Sequence, residues 1–424
     1  MSKASAREDN GTRRLGLLRR ATESRRAAIL YELWKEGPIS RGALADRMGL
    51  NLPTVSAVVQ DLIKAGDLIE EGFATSTGGR KAQLLDVNPK KGGVASLEFS
   101  SRGILSASAD MKGRLHNHVI RPFNISAGRA AAIEAMIEAL EDQKQFLKED
   151  EGLDLARIGV VTSGLVDEIR GTSIKFPRFE EWTNVPLVEI LQDHFGVPVN
   201  LSSHVIGTTL AESTFGRFKE LKNYIYVHLG PGLACGIVID GYVYRGTKAT
   251  VGEFGHITVD DRGPTCYCGN YGCLETLASD WALVSQAQTA LKEGVQSHIP
   301  EHVDDNGEIT PAAIFQAAEM GDRLAGNIID KAGHFLGTAL ASVVNLFAPE
   351  AIIFGGSMAE DGGRLIKSVR HTMKRRGLEA LEKDIQVDLC SFGQQAGVVG
   401  AVAVALHTHY TSFEDKENSS EDEE

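Results

Sequence analysis

Cysteine is scarce in this chain: there are five in 424 residues. Stability must therefore come from a buried core, and the length predicts two or three domains able to supply one. Long apolar runs are missing too. No stretch approaches the ~20 residues that a membrane helix needs. The longest candidates, GTALASVVNLFAP (337–349) and GVVGAVAVAL (397–406), are expected to be buried core helices. The opening residues, MSKASAREDNGTRRLGLLRR, lack a sustained apolar segment and a small-residue cleavage site, which argues against a secretory signal. Glu8 and Asp9 argue against a targeting peptide despite the neighbouring arginines. The expected location is cytoplasmic. Compositional bias is confined to the two ends.

The net charge of −13 would disfavour nucleic acid if it were evenly spread. Residues 1–90 hold 15 Lys and Arg against 11 Asp and Glu, so the remaining chain carries −17. A mildly basic front end on an acidic body places any anionic partner at the front end. The last stretch, SFEDKENSSEDEE, has almost nothing apolar to bury, and residues 411–424 are expected to be a disordered acidic tail. Residues 1–23 are expected to be a flexible basic segment.

Residues 24–90 read as a winged helix-turn-helix. Ile29, Leu30, Leu33 and Trp34 recur at helical spacing until Gly37-Pro38. Ser40 then caps a short helix that begins at Arg41 and carries Leu44 and Met48 one turn apart. Gly49 permits a sharp turn, Asn51 caps a third helix, and Pro53 is tolerated in its first turn. Val55, Val58, Val59 and Leu62 form the buried stripe of that helix. Its opposite face offers Asn51, Thr54, Ser56, Ala57 and Gln60, short groups suited to base edges in a major groove. Two alternating segments joined by TSTGGR follow, forming a hairpin whose tip ends in Arg80-Lys81. Beside a recognition helix such a tip is a wing for phosphates or the minor groove. Ser40, Arg41, Asn51, Thr54, Ser56, Gln60, Arg80 and Lys81 are the candidate DNA contacts, and a bare protein-docking module is the alternative.

From Gly92 the pattern becomes three short alternating runs, then strands alternating with helices, which indicates an α/β protein of two lobes. The winged front end, GEFGHITV (252–259), the Cys-x-Cys-Gly-x-x-Gly-Cys-Leu-Glu run (266–275) and IIFGGS (352–357) together resemble the ROK group of sugar-responsive repressors and sugar kinases. The resemblance covers residues 25–410. It implies an actin-like, hexokinase-like (ribonuclease H-like) body with a sugar site between its lobes. The expected division is 91–200 for the first lobe, 201–395 for the second, and a helix at 396–410 packing back on the first.

Three of the five cysteines fall within GHITVDDRGPTCYCGNYGCLE. Cys266, Cys268, Cys273 and His256 make a Cys₃His set suited to tetrahedral zinc with no open position, hence a structural ion. Gly269 and Gly272 let the loop wrap one ion. A Cys266–Cys268 disulfide would be strained, and unliganded thiols are the alternative. Cys235 and Cys390 lie in apolar runs and are expected in the core. The resemblance implies that Glu253, His256 and Glu275 contact sugar hydroxyls, with His256 serving the metal as well.

The same resemblance exposes departures from the kinases. Their first phosphate loop, Asp-x-Gly-Gly-Thr, corresponds here to Glu98-Phe99-Ser100-Ser101-Arg102. Their catalytic Asn-Asp pair corresponds to Ser203-His204, eight residues before Glu212. Their second loop, Gly-Thr-Gly, is Gly230-Pro231-Gly232, and the proline removes a hydroxyl and an amide donor. Losing a carboxylate base and both cradles leaves phosphoryl transfer without positioning or charge stabilisation. Gly355-Gly356 remains as a trace of residual nucleotide binding or as a strand-ending turn. Gly164, Ser203 and His204 complete the candidate sugar site, in a setting that favours an unusual sugar, a sugar acid, or no ligand. The expectation is a non-enzymatic, sugar-responsive regulator, a repressor, acting on an operator as a homodimer or homotetramer. The rivals are a sugar kinase fused to a DNA-binding head and a regulator whose body only dimerises.

Overall fold

The computed structural model describes residues 24–74, 81–177, 179–246, 251–378 and 384–411. The head holds α1 (24–36), β1 (Ile39–Ser40), α2 (Arg41–Met48), α3 (Leu52–Lys64), β2 (Leu68–Phe73) and β3 (Gln83–Val87). Both cap expectations hold. Ser40 Oγ accepts from the Ala43 amide at 3.3 Å, and Asn51 Oδ1 accepts from the Thr54 amide at 2.9 Å. Each cap satisfies a first-turn donor that the helix cannot. Val55, Val58, Val59 and Leu62 are buried as the stripe demands. β2 and β3 pair antiparallel as the wing, and the short β1 pairs with β3. The wing tip, with Arg80, and both chain ends (residues 1–23 and 412–424) lie outside the described residues.

The first lobe is a five-stranded sheet. Its strands are β4 (Gly93–Ser100), β5 (Gly103–Asp110), β6 (Leu115–Arg121), β7 (Leu155–Thr162) and β11 (Val199–Ser203), in the order β11-β7-β4-β5-β6. Helix α4 (Arg129–Glu149) covers one face with Ala132, Met136, Ala139, Leu140 and Leu147. A small three-stranded sheet, β8 (Leu165–Asp167), β9 (Thr172–Lys175) and β10 (Thr183–Val185), rises after β7 and leads through α5 (Leu187–Phe195) to β11. After β11 comes α6 (His204–Phe215).

The second lobe repeats the topology. β12 (Tyr224–Leu229), β13 (Leu233–Ile239), β14 (Tyr242–Val243), β15 (Ala351–Gly355) and β16 (Gln386–Leu389) run in the order β14-β13-β12-β15-β16. In each lobe the first strand pairs antiparallel with the second and parallel with the fourth. Between β14 and β15 lie α7 (Leu274–Ala278), α8 (Asp280–Lys292), α9 (Pro311–Glu319) and the long α10 (Arg323–Phe347). Between β15 and β16 the described residues include α11 (Ser357–Glu360) and α12 (Gly363–Arg376).

The last described helix, Ala396–Thr411, returns to the first lobe and packs on β4, β5, β7, β11 and α6. Its residues 396–406 are apolar on every side and all buried, as a helix enclosed by core must be. Its far end also seats the head. Val402, Leu406 and Tyr410 join Ile29, Leu33, Trp34 and Met111 in one apolar cluster. Trp34 packs on Tyr410 with ring centroids 5.2 Å apart, and the Tyr410 hydroxyl donates to the Met111 carbonyl at 2.9 Å. Head and first lobe thus share a continuous core.

Candidate functional site

Three places carry the chemistry expected from the sequence. The first is the outer face of α3, where Asn51, Ala57 and Gln60 are exposed and Thr54 and Ser56 half-buried. Lys81, at the foot of the wing, is exposed. Arg41 is held by Glu70 of the wing strand at 2.8 Å, so α2 and wing are tied by a charge that the sequence assigned to DNA. Ser40 and Asn51 are engaged as caps, which leaves Thr54, Ser56 and Gln60 as the polar side chains on this face with no capping duty.

The second is the cysteine loop. One ligand atom from each of His256, Cys266, Cys268 and Cys273 lies within 4.8 Å of all the others. Cys268 Sγ and Cys273 Sγ are 3.7 Å apart, and Cys266 Sγ lies 3.6 Å from His256 Nδ1. Those are edge lengths of a tetrahedron with bonds of about 2.3 Å, and far too long for a disulfide. All five cysteines are free thiols. The donor set therefore fits a metal ion. Gly272, at φ +60°, passes so close to the Asp260 carbonyl that any side chain would overlap it. Cys235 is buried as expected, whereas Cys390 is only half-buried at the end of its strand.

The third is the cleft between the sheets. On the first-lobe side, Gly164 follows β7, Ser203 ends β11, and Ser203 pairs in register with Thr162. Ser203 Oγ accepts from the Ile206 amide at 3.4 Å, so this hydroxyl caps α6. On the second-lobe side, Glu275 is buried and its Oε2 accepts from the Leu233 amide at 3.3 Å. Glu253 lies 3.9 Å from His256 Nε2, and the Tyr267 hydroxyl lies 3.1 Å from that same nitrogen. With Nδ1 among the thiols, His256 presents its other nitrogen to this pocket. The Gly230-Pro231-Gly232 turn joins β12 to β13 on the second-lobe side. Gly230 abuts His228, Gly232 abuts Glu275, and the rings of His228 and His204 are 4.8 Å apart.

Sequence reasoning missed the network that fills the rest of this cleft. Glu98 is fully buried in β4, with His204 Nε2 at 3.5 Å and Arg102 Nη2 at 3.0 Å. Arg102 also donates to the Gln394 carbonyl at 3.2 Å. Burial alone would raise the Glu98 carboxyl, yet the hydrogen bond and charge of His204, with Arg102, hold it down at about 2. Its carboxylate occupies the space that a side chain at Gly397 would need, against the N-terminus of the closing helix. Burial and then the neighbouring His204 push His228 down to about 3. A second ion pair, Arg245 with Glu168, links the loop after β14 to the hairpin after β8, and Ser202 donates to the same carboxylate. The one charged residue in the strand-like run VASLEFSS was the available signal for Glu98.

The glycine pair at 355–356 has a packing explanation. Tyr226 covers Gly355 so closely that a side chain there would overlap its hydroxyl, and Gly356, at φ +91°, meets the Leu229 carbonyl and His228. Gly355 is required by the Tyr226 side chain and Gly356 by its positive φ and the Leu229 carbonyl, with no nucleotide needed to account for them. Among the described residues, Glu98, Arg102 and His204 engage one another at the first-lobe end of the cleft, where a kinase needs free donors for a phosphate.

The comparisons with known proteins agree with this arrangement. The ROK family profile matches residues 116–408, and a winged helix-turn-helix DNA-binding profile matches residues 25–66. The xylose repressor of Caldicellulosiruptor bescii is 30% identical over 87% of this chain and 92% of its own length. The DNA-binding transcriptional dual regulator NagC of Escherichia coli is 29% identical over 85% of this chain and 87% of its own. A crystal structure of a ROK family transcriptional regulator, described as a homolog of E. coli MLC protein, superposes with a TM-score of 0.79 at 27% identity, covering 92% of this chain and 97% of that one. A ROK family glucokinase from Streptomyces griseus, solved with glucose and AMPPNP, gives 0.65 at 27% identity over 74% of this chain and all of its own. The kinase match omits about a quarter of the chain, whereas the regulator match covers nearly all of it. The chain belongs to the ROK family, with a winged helix-turn-helix head joined to the family's two-lobed body.

Proposed function

We propose that the protein is a sugar-responsive transcriptional repressor whose body senses a ligand without performing chemistry on it. The observation that carries this is the pairing of an exposed, polar recognition face on α3 with a cleft that keeps Glu253, His256 and Glu275 but has Glu98, Arg102 and His204 ion-paired where a kinase needs a phosphate cradle. The carboxylates suit paired hydroxyls as acceptors. Gly164 and His204 border the same cleft from the first lobe. The relatives named as xylose and N-acetylglucosamine repressors support a saccharide as the effector.

Zinc is the metal that the Cys₃His set suits, and its place here is structural, since all four positions are filled by the protein. Bound there, it would fix His256 and, through the short run from Cys273, Glu275. Gln60, Thr54, Ser56 and Asn51 would face base edges, with Lys81 and Arg80 of the wing on the backbone or minor groove. A homodimer would set two heads about one helical turn of DNA apart. No described helix is long and apolar enough to cross a membrane, and the site of action is taken as the cytoplasm.

A reporter assay tests this function. An operator selected from random duplexes, placed before a reporter, should be silenced by the protein and released by one sugar of a panel. Silencing by a head-only fragment with equal response, or sugar-dependent ATP turnover by the purified chain, would contradict it.

A further inference from the structure

Helix α6 has one end in the candidate ligand cleft and the other against the DNA-binding head. At its N-terminus Ser203 supplies the cap, and His204 lies between Glu98 and His228. At its C-terminus Phe215 packs edge-on against Trp34 of α1, with ring centroids 5.8 Å apart. Twelve residues put these ends about 18 Å apart.

Between them the helix is enclosed. Val205 to Glu212 are all buried, and α6 touches β7 and β11 of the first sheet and β12, β13 and β14 of the second. Gly207 meets Gly400 of the closing helix backbone to backbone, and Thr209 fits over Gly236 of β13. Glu212 accepts from the Ser391 amide at 2.9 Å, with the Ser391 hydroxyl on its other oxygen. Tightly packed interiors deform little, so a shift at one end of such a helix cannot be absorbed along its length.

The head end has the marks of a seat with more than one arrangement. Trp34 sits there in an apolar cluster with Ile29, Leu33 and Met111, and its ring contacts come from Tyr410, Phe215 and Tyr31. Its buried Nε1 has no protein hydrogen-bond partner among the described residues, so packing and not a directional bond fixes the position of the ring. Leu210, Ser213 and Thr214 of α6, Tyr31 and Lys35 of α1, His407, and the Gly241–Val243 turn of the second lobe close around a gap of about 20 Å³, room for about one water. Head, first lobe and second lobe therefore meet at one point, at the end of α6.

We infer that α6 is the coupling rod of the protein: displacement of its His204 end by a ligand moves Phe215, and Phe215 re-seats Trp34 and with it α1 of the head. Regulation by this route rests on the sugar-sensor function proposed above. It names Phe215 and Trp34 as positioning residues that touch neither ligand nor DNA. The bistable element is the seat of Trp34, and both sites bias it.

Hydrogen exchange on the full-length protein tests the rod without requiring a ligand. His204→Ala perturbs the cleft end, and the readout is amide protection across residues 24–36. The expected result is a change of at least fivefold in α1 exchange in the parent background, reduced to under twofold in a Phe215→Leu background. Phe215→Leu keeps an apolar side chain of similar volume, and Trp34→Phe serves as the second variant if it fails to fold. Equal changes in parent and Phe215→Leu proteins, or no change in α1 on His204→Ala, would overturn the rod. A companion titration of operator DNA with and without the sugar separates the two claims. A parent protein that ignores every sugar sinks the sensor function and leaves the exchange result to decide the rod. A Phe215→Leu protein that binds the sugar and the operator yet keeps the parent's full sugar response sinks the rod alone.

Discussion

The Glu98 carboxylate faces His204 Nε2 at 3.5 Å, across two elements that are far apart in the chain and brought together by the β4-β7-β11 pairing and the closing helix. By correspondence with the kinases, one of these positions belongs to a phosphate loop and the other to a catalytic carboxylate. By that correspondence Glu98 keeps an acid where the kinases have one, while Arg102 and His204 replace the loop threonine and the catalytic carboxylate and both engage Glu98.

The pair predicts a pH dependence. Glu98 titrates at about 2 when folded, below its ordinary value, so its contribution is complete above pH ~5 and is lost as the pH falls toward 2. A shift of this size corresponds to roughly 3 kcal/mol at neutral pH. Glu98→Gln should therefore lower stability by about that amount at pH 7, with the difference from the parent shrinking steadily below pH 4. Denaturant titrations of both proteins from pH 7 to pH 3 check it, and a pH-independent difference would contradict the assignment.

The cysteine loop predicts one zinc per chain. Cys268 is exposed, so Cys268→Ser should leave the fold intact while reducing bound metal well below one equivalent. Chelation of the parent should lower its melting temperature and weaken sugar binding, because His256 and Glu275 lose their anchor. Metal analysis after dialysis, beside thermal denaturation, reads both effects.

On the head, Gln60 and Asn51 separate recognition from folding. Gln60→Ala should cost about 1–3 kcal/mol of operator affinity and change stability by less than about 0.5 kcal/mol. Asn51→Ala should lose affinity and also about 1 kcal/mol of stability, since its side chain caps α3. Lys81→Ala should weaken binding to all sequences alike and lower the salt slope by about one. Titrations at several salt concentrations distinguish the three.

In the cleft, Glu253→Gln should raise the sugar concentration needed for half response by at least tenfold while leaving operator affinity without sugar unchanged. The Glu253 side chain is exposed and accepts no backbone hydrogen bond among the described residues, whereas Glu275 also holds the Leu233 amide, so Glu275→Gln should destabilise the protein as well. Sugar titration by calorimetry and thermal denaturation of both variants check the distinction.

Much of this was legible in the sequence where the signal is local. Ser40 and Asn51 announce helix starts because a cap is a property of four consecutive residues. The cysteine loop is legible because three ligands lie within eight positions. The glycine pair at 355–356 is visible as a motif, but its cause is Tyr226 and His228, which only the pairing of β12 with β15 brings near. Glu98, Arg102 and Gln394 were missed for the same reason, as was the Arg245–Glu168 link between lobes. Arg41, a candidate DNA contact, also pairs with Glu70, a partner that only the fold of the wing strand supplies.

The central claim is that a sugar in the cleft governs the grip of the head on DNA. Its most direct test is fluorescence anisotropy of the zinc-loaded protein on its selected operator, repeated across monosaccharides, amino sugars, sugar acids and sugar phosphates. The account predicts that one of them shifts the midpoint at least tenfold, and that the shift disappears in Glu253→Gln. Tight operator binding that no sugar moves would contradict it, and would leave the body as a platform for pairing two heads.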